Sequence, residues 1–222
     1  MGCTTRHPLS VMLAALARMF EFLDKFSDWG LLRAIEGTEV SRIDGIVLFD
    51  LRKRGDSFRP TIENALRIIR QHDPRRYARV VQYISRIVNS IVTCGTLAVY
   101  NFSVRTVHLE FRELPRASDD LLAAFYACLL VHESTHGVLQ SKGIKKSARN
   151  RVRIERLCVA EQNRFAARLA AADQVRYPSE VLHVPFDEKG WHETWNTGFL
   201  KGLSSILWRT ITDKKLNQKD DA

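Results

Sequence analysis

Apolar residues recur along the first stretch of the chain at Leu9, Met12, Leu13, Leu16, Met19, Phe20, Leu23 and Phe26. Steps of three and four place them on one face, which predicts an amphipathic helix over Leu9–Phe26. Gly30, Gly37, Gly45 and Gly55 then punctuate a looser stretch in which Ile46–Leu51 reads as a short strand. Pro60 opens a helical pattern running to Gln71. Pro74 opens another, with Tyr77, Val80, Val81, Ile84, Ile87, Val88 and Ile91 on one side; proline suits a first helical turn, where no amide donor is needed. The period then changes. Thr96–Phe102 and Val104–Phe111 are rich in β-branched and aromatic residues and read as strands.

Beyond Pro115 the helical period returns. Ser118 is a good N-cap, and Asp119 and Asp120 fall in the first turn, where the helix dipole favours acids. This helix is expected to run to about Gln140 and stop near Gly143, with a second long helix over roughly Ser147–Asp173. Tyr177-Pro178 breaks that pattern, the segment to Gly190 is irregular, a last helix is expected over Thr194–Thr210, and Asp213–Ala222 is a polar tail. The sum is one α+β domain, mainly helical: a helical part over about 1–95, strands and two long helices over 96–175, a loop and helix over 176–212, and the tail over 213–222.

Length and charge narrow the classes. A chain of 222 residues with 45% hydrophobic and 27% charged residues can bury a core of its own, which excludes wholesale disorder. The longest uncharged apolar stretch, Leu121–Val131, is too short to span a bilayer, so integral membrane association is not expected. Thirty-four Lys and Arg against twenty-five Asp and Glu give a net charge of +9. The excess is spread over several segments and accompanies no nucleic-acid recognition motif, so solvated helix faces are the first reading and nucleic acid a lesser one. The four cysteines, Cys3, Cys94, Cys128 and Cys158, show no CxxC spacing and read as reduced thiols of a cytoplasmic protein. Arg6, Leu9–Ala14 and Ala15-Leu16-Ala17 share features with a secretory signal, but the amphipathic pattern continues through Phe26, which favours a helix.

The residues that point to chemistry are His132-Glu133-Ser134-Thr135-His136, an HExxH motif. One helical turn separates the two histidines, so both imidazoles leave the same face and can grip one metal ion. Glu133 is offset by about 100° and can reach a metal-bound water without being a ligand. Zinc lowers the pKa of such a water toward about 7, and the carboxylate takes the proton. With the His and Glu content of this chain, the motif arises by chance with a probability on the order of 1%. A zinc site also needs a third protein ligand, with the fourth position left open. Glu155 and Glu161 on the next helix are the candidates. On a helical wheel they flank the apolar face of Ile154, Leu157, Cys158, Phe165 and Leu169 from opposite sides, and the pattern does not choose between them.

HESTH followed after 18 residues by Glu155 resembles the gluzincins, zinc metallopeptidases with HExxH and a downstream helical Glu. The resemblance covers about Ser118–Leu169. It implies a zincin-like fold with a small sheet before the motif helix, His132, His136 and Glu155 as zinc ligands, and Glu133 as general base. Glu161 is then the alternative ligand, or an acceptor for a ligand histidine. The helix ERLCVAEQNRFAARL is also similar to the ligand helix of ImmA/IrrE-type proteases, although the position equivalent to their ligand falls on Val159. The resemblance further implies a peptide or protein substrate, lying along the edge of the strand Val104–Phe111. The metzincin pattern HExxHxxGxxH is not met. Cys128, four residues before His132, and Cys158 are expected to pack in the core, with approach of either to the metal as the lesser alternative. Tyr177, His183 and His192 are candidates for stabilising an oxyanion, each more simply structural, and His108 reads as an ordinary strand histidine. Two competing classes are a basic helical binding module for nucleic acid or an acidic protein, and a zinc-binding pseudoenzyme.

Overall fold

The computed structural model describes residues 39–53, 55–92, 97–113, 117–144, 147 and 150–186. The helices expected over Leu9–Phe26 and Thr194–Thr210, the polar tail, Cys3, Cys94 and His192 lie outside them. The first two strands, β1 (Glu39–Ile43) and β2 (Ile46–Asp50), form an antiparallel hairpin. Its two-residue turn is Asp44-Gly45, with both φ angles positive (47° and 85°). Asp-Gly is the pair such a hairpin turn selects, because both central residues must enter the left-handed region.

Helix α1 (Gly55–His72) follows, starting five residues before Pro60. Pro60 therefore sits inside the helix, on its exposed side, rather than opening it. Helix α2 (Pro74–Tyr83) does open on its proline, with the Asp73 side chain accepting from the Arg76 amide at 3.0 Å. The long helical run expected from Pro74 to Ile91 is overturned. The chain leaves the helix at Ile84 (φ −110°, ψ 117°) and forms strand β3 (Arg86–Asn89). Ile84, Ile87, Val88 and Val92 are β-branched, and all four are buried; a half-turn pattern of such residues suits an inner strand better than a helix.

Strands β4 (Ala98–Asn101) and β5 (Thr106–Leu109) complete one five-stranded sheet in the order β1-β2-β3-β5-β4. β2, β3 and β5 run parallel, while β1 and β4 are antiparallel to their neighbours. The strand expected to offer its edge, Val104–Phe111, is thus interior: β5 is hydrogen-bonded on both sides, and β4 is outermost among the described residues. Burial explains this. Val107 and Leu109 on one face and Thr106 on the other are all fully buried, as a strand paired on both edges requires.

Ile46, Leu48, Ile87, Val107, Leu109 and Ala98 point to one face of the sheet and join a single core with the helices. Helix α3 (Asp119–Ser141) is the centre of that core, packed on α1, α2, β4 and helix α4 (Arg151–Ala172). Ser118 caps α3 by accepting from the Leu121 amide at 3.2 Å. A short helix, α5 (Ser179–Leu182), closes the described chain. The protein is therefore α+β with a mixed sheet before the HExxH helix. Among the described residues, no helix is long and apolar enough to cross a membrane.

One glycine sets the spacing between α3 and the outer strand. A Cβ at Gly137 would lie 2.8 Å from Tyr83 Cβ and 2.9 Å from the Tyr100 hydroxyl, which itself donates to the Tyr83 carbonyl at 2.7 Å. Gly137→Ala is expected to lower stability by about 1–3 kcal/mol despite alanine's better helix propensity, because three packed groups must separate. The midpoint of chemical denaturation reads this directly.

Candidate metal centre

Mid-helix placement fixes the donors. His132 and His136 project from the same face of α3, with ring centroids 5.1 Å apart. Glu155 and Cys158 face them from the first turns of α4, one turn apart on its buried side. The carboxylate oxygen Oε2 of Glu155 lies 3.5 Å from His132 Nε2 and 3.4 Å from His136 Nε2. Donors held about 2.0–2.1 Å from a tetrahedral ion stand about 3.3–3.4 Å apart, so each of the two histidine–glutamate separations matches a donor pair on one ion.

The other nitrogen of each ring is also engaged. Gln162 Oε1 lies 3.1 Å from His132 Nδ1. As an acceptor there it takes the Nδ1 proton, which in a neutral ring leaves the lone pair on Nε2. Cys158 Sγ lies 3.5 Å from His136 Nδ1. His132, His136 and Cys158 also form a group, buried but for partial exposure of His136, whose ligand atoms lie within 4.8 Å of one another and could hold a metal ion. Cys158 and Glu155 approach opposite nitrogens of the same His136 ring, so they are alternatives for a single ion. Glu155 alone meets both Nε2 atoms.

Burial pushes His132 toward its neutral form. The hydrogen bond and charge of Glu155, the charge of Glu133 and the bond to Gln162 outweigh it and raise its pKa above the ordinary histidine value. Two carboxylates so placed favour positive charge between the rings. Glu133 itself is buried and lines a cavity of about 260 Å³ with both histidines and Glu155 on its wall. Leu129, Ile154 and Val159 supply apolar wall, and Ala98, Val99 and Tyr100 of β4 form one side. Tyr100's phenol is pushed up to about 12, first by burial, with the Arg105 charge opposing and Tyr83 and Glu133 adding to it.

The structure brings His132, Glu133, His136 and Glu155 to one place. Glu161 points elsewhere, to Arg76 at 2.9 Å, Arg79 at 3.5 Å and Arg164. Burial would raise its pKa, but the hydrogen bond from Arg164 and the charge and hydrogen bond of Arg76 hold it below the usual glutamate value. Its role is to tie α4 to α2, beside the Asp73–Arg168 pair. Of the cysteines, Cys128 is a core residue whose thiol burial pushes up to about 12. Cys158 is fully buried, as expected of a core residue, and its Sγ also approaches the site, 3.5 Å from His136 Nδ1. Tyr177 is buried against His72, His183 is exposed, and neither lines the cavity. His108 has Ser90 Oγ at 3.5 Å from Nδ1, a strand contact away from the cavity. Val159 faces the cavity one turn after Glu155. Gln162 and Tyr100 escaped the sequence reading. Gln162 carried a signal, since it lies two turns from Glu155 on the same helix face.

Comparison with family models, with characterised proteins and with solved structures finds no match to this chain.

Proposed function

We propose that this protein is a zinc-dependent metallopeptidase with a zincin-like fold, holding zinc through His132, His136 and Glu155. The observation that supports this most is the meeting of two Nε2 atoms and one carboxylate oxygen, at 3.4–3.5 Å, on the wall of a cavity that also holds Glu133. A two-nitrogen, one-oxygen donor set suits zinc with one position open. Bound there, zinc supplies a Lewis acid for the scissile carbonyl and an acidified water. The chain's own residues do the rest. Glu133 accepts the proton of the attacking water and returns it to the leaving amine. Gln162 holds His132 in the tautomer that presents Nε2. Strand β4, one of the two edge strands among the described residues and antiparallel to β5, offers backbone groups to an extended peptide, a role the resemblance had led us to expect of its neighbour.

The test is incubation of the zinc-loaded full chain with a mixture of peptides and unfolded proteins, read by mass spectrometry for new termini. Cleavage is expected with wild type and not with Glu133→Gln. The contact of Cys158 with His136 supports a second reading, a zinc-binding pseudoenzyme whose site is closed by sulfur. It requires zinc retention with no Glu133-dependent cleavage. Gln162→Leu removes the acceptor on His132 and is expected to weaken zinc about 10–100-fold, measured by competition with a chelating dye.

A further inference from the structure

Two groups of arginines, 85 to 95 residues apart in the chain, meet on one surface. Arg75, Arg76 and Arg79 stand on α2, and Arg164 and Arg168 on α4. Arg76 reaches Glu161 at 2.9 Å and Arg79 reaches it at 3.5 Å, while Arg168 crosses back to Asp73 at 3.3 Å. Arg164 pairs with Glu161 along α4. Arg75 is exposed, one turn before Arg79. α2 carries no acid, and α4 carries only Glu161 and the inward-facing Glu155. Two carboxylates, Asp73 and Glu161, therefore serve five guanidinium groups. The acids are the more covered partners: the side chain of Asp73 is 4% exposed and that of Glu161 20%, against 43% for Arg79, 66% for Arg164 and 59% for Arg168. Each guanidinium has five donors, so these acid contacts leave most of the N–H groups on the three arginines facing solvent. Burial would raise the pKa of Asp73, but the hydrogen bonds and charge of Arg76 and the charge of Arg168 hold it below the ordinary aspartate value. His72, the preceding residue, is lowered first by burial and then by the charges of Arg176 and Arg168. Both directions fit a positive local potential.

We infer that this face of α2 and α4 binds the phosphate backbone of double-stranded nucleic acid without reading its sequence. The inference stands apart from the peptidase reading, since none of the five arginines lines the cavity. Guanidinium forks match phosphate oxygens in pairs, and the ion pairs to Asp73 and Glu161 hold the forks in place before a ligand arrives. Contacts of this kind supply affinity and orientation but no sequence information. Single strands are held by rings on which bases stack. The rings on the two helices, Tyr77, Tyr83 and Phe165, are buried or half-buried. A protein partner would want apolar anchors at the centre of its interface. No exposed large apolar side chain lies on α2, nor on α4 after Leu157. A surface of fixed arginines with neither rings nor apolar anchors suits a regular array of phosphates.

The experiment titrates the full chain with a short labelled DNA duplex of mixed sequence at several salt concentrations. Roughly five phosphate contacts predict that log K falls with log salt at a slope of about −4. The triple variant Arg79→Gln, Arg164→Gln and Arg168→Gln is expected to bind at least about tenfold more weakly at low salt, with a slope shallower by about 2–3. A control, Arg42→Gln, Arg59→Gln and Arg112→Gln, removes the same net charge from exposed arginines of other elements and is expected to leave the slope unchanged. A duplex of unrelated sequence should bind as tightly as the first. Melting temperatures show that the variants are folded. Where the triple variant melts early, Arg164→Gln with Arg168→Gln alone is expected to flatten the slope by about 2. Absence of duplex binding at low salt, equal losses in the two triple variants, or binding of polyglutamate or a single strand as tight as that of the duplex each overturn the inference. Loss of peptidase activity in Glu133→Gln leaves all of these readings unaltered.

Discussion

Glu133→Gln is expected to lower kcat/KM for a cleaved peptide by about 10²–10⁴-fold, or about 3–5 kcal/mol of transition-state stabilisation. The substitution keeps the volume and one oxygen of the side chain, so the buried wall it forms beside His132 and His136 survives. What it removes is the capacity to hold a proton between water attack and amine departure. Glu133 is not among the groups converging on Nε2, so zinc content should stay at that of wild type. Metal analysis and kinetics on the same preparation therefore separate a base from a ligand. Full activity in the variant on a confirmed substrate defeats the peptidase reading, and loss of zinc would reassign Glu133.

The second large effect distinguishes the two glutamates of α4. Glu155→Ala deletes the oxygen shared by both imidazoles and leaves them facing a void. Zinc affinity should fall by more than the roughly 10–100-fold typical of an outer contact, and purified protein should lose its metal. Glu161→Ala leaves zinc untouched. It removes one partner from Arg76, Arg79 and Arg164 at a partly exposed site, with Arg76 still paired to Asp73, and should cost about 1 kcal/mol or less. A Cys158→Ala arm completes the comparison, since zinc retained there excludes sulfur as the ligand. Metal content by elemental analysis and melting temperature across the three variants give the result. Zinc loss in Glu161→Ala with zinc retention in Glu155→Ala would overturn the ligand set.

Much of this was written in local pattern. HExxH encodes a shared helix face in four intervals, and Ser118 with two following acids marks the start of α3 as the structure has it. The Asp44-Gly45 turn carried an equally local signal that the reading used only as punctuation. Long-range facts were less accessible. Period alone did not reveal that Ile84–Val92 leaves a helix to become an inner strand, because an apolar run at helical spacing also fits a strand buried on both faces. The order of β5 and β4 depends on pairing across the sheet, which no single strand's composition carries. The choice between Glu155 and Glu161 was set by partners remote in sequence: Arg76 and Arg79 of α2 take Glu161, and the histidines face Glu155.

The outer strand has a consequence for ligand length. β4 is four residues long, and backbone groups alternate in direction along a strand, so only about half of its amides and carbonyls face outward. So short a border is a poor template for another sheet, and under the peptidase reading proposed above it would dock only a brief guest in one register. Residues of a guest beyond that span gain nothing more from main-chain pairing, and discrimination among longer polypeptides must come from side chains.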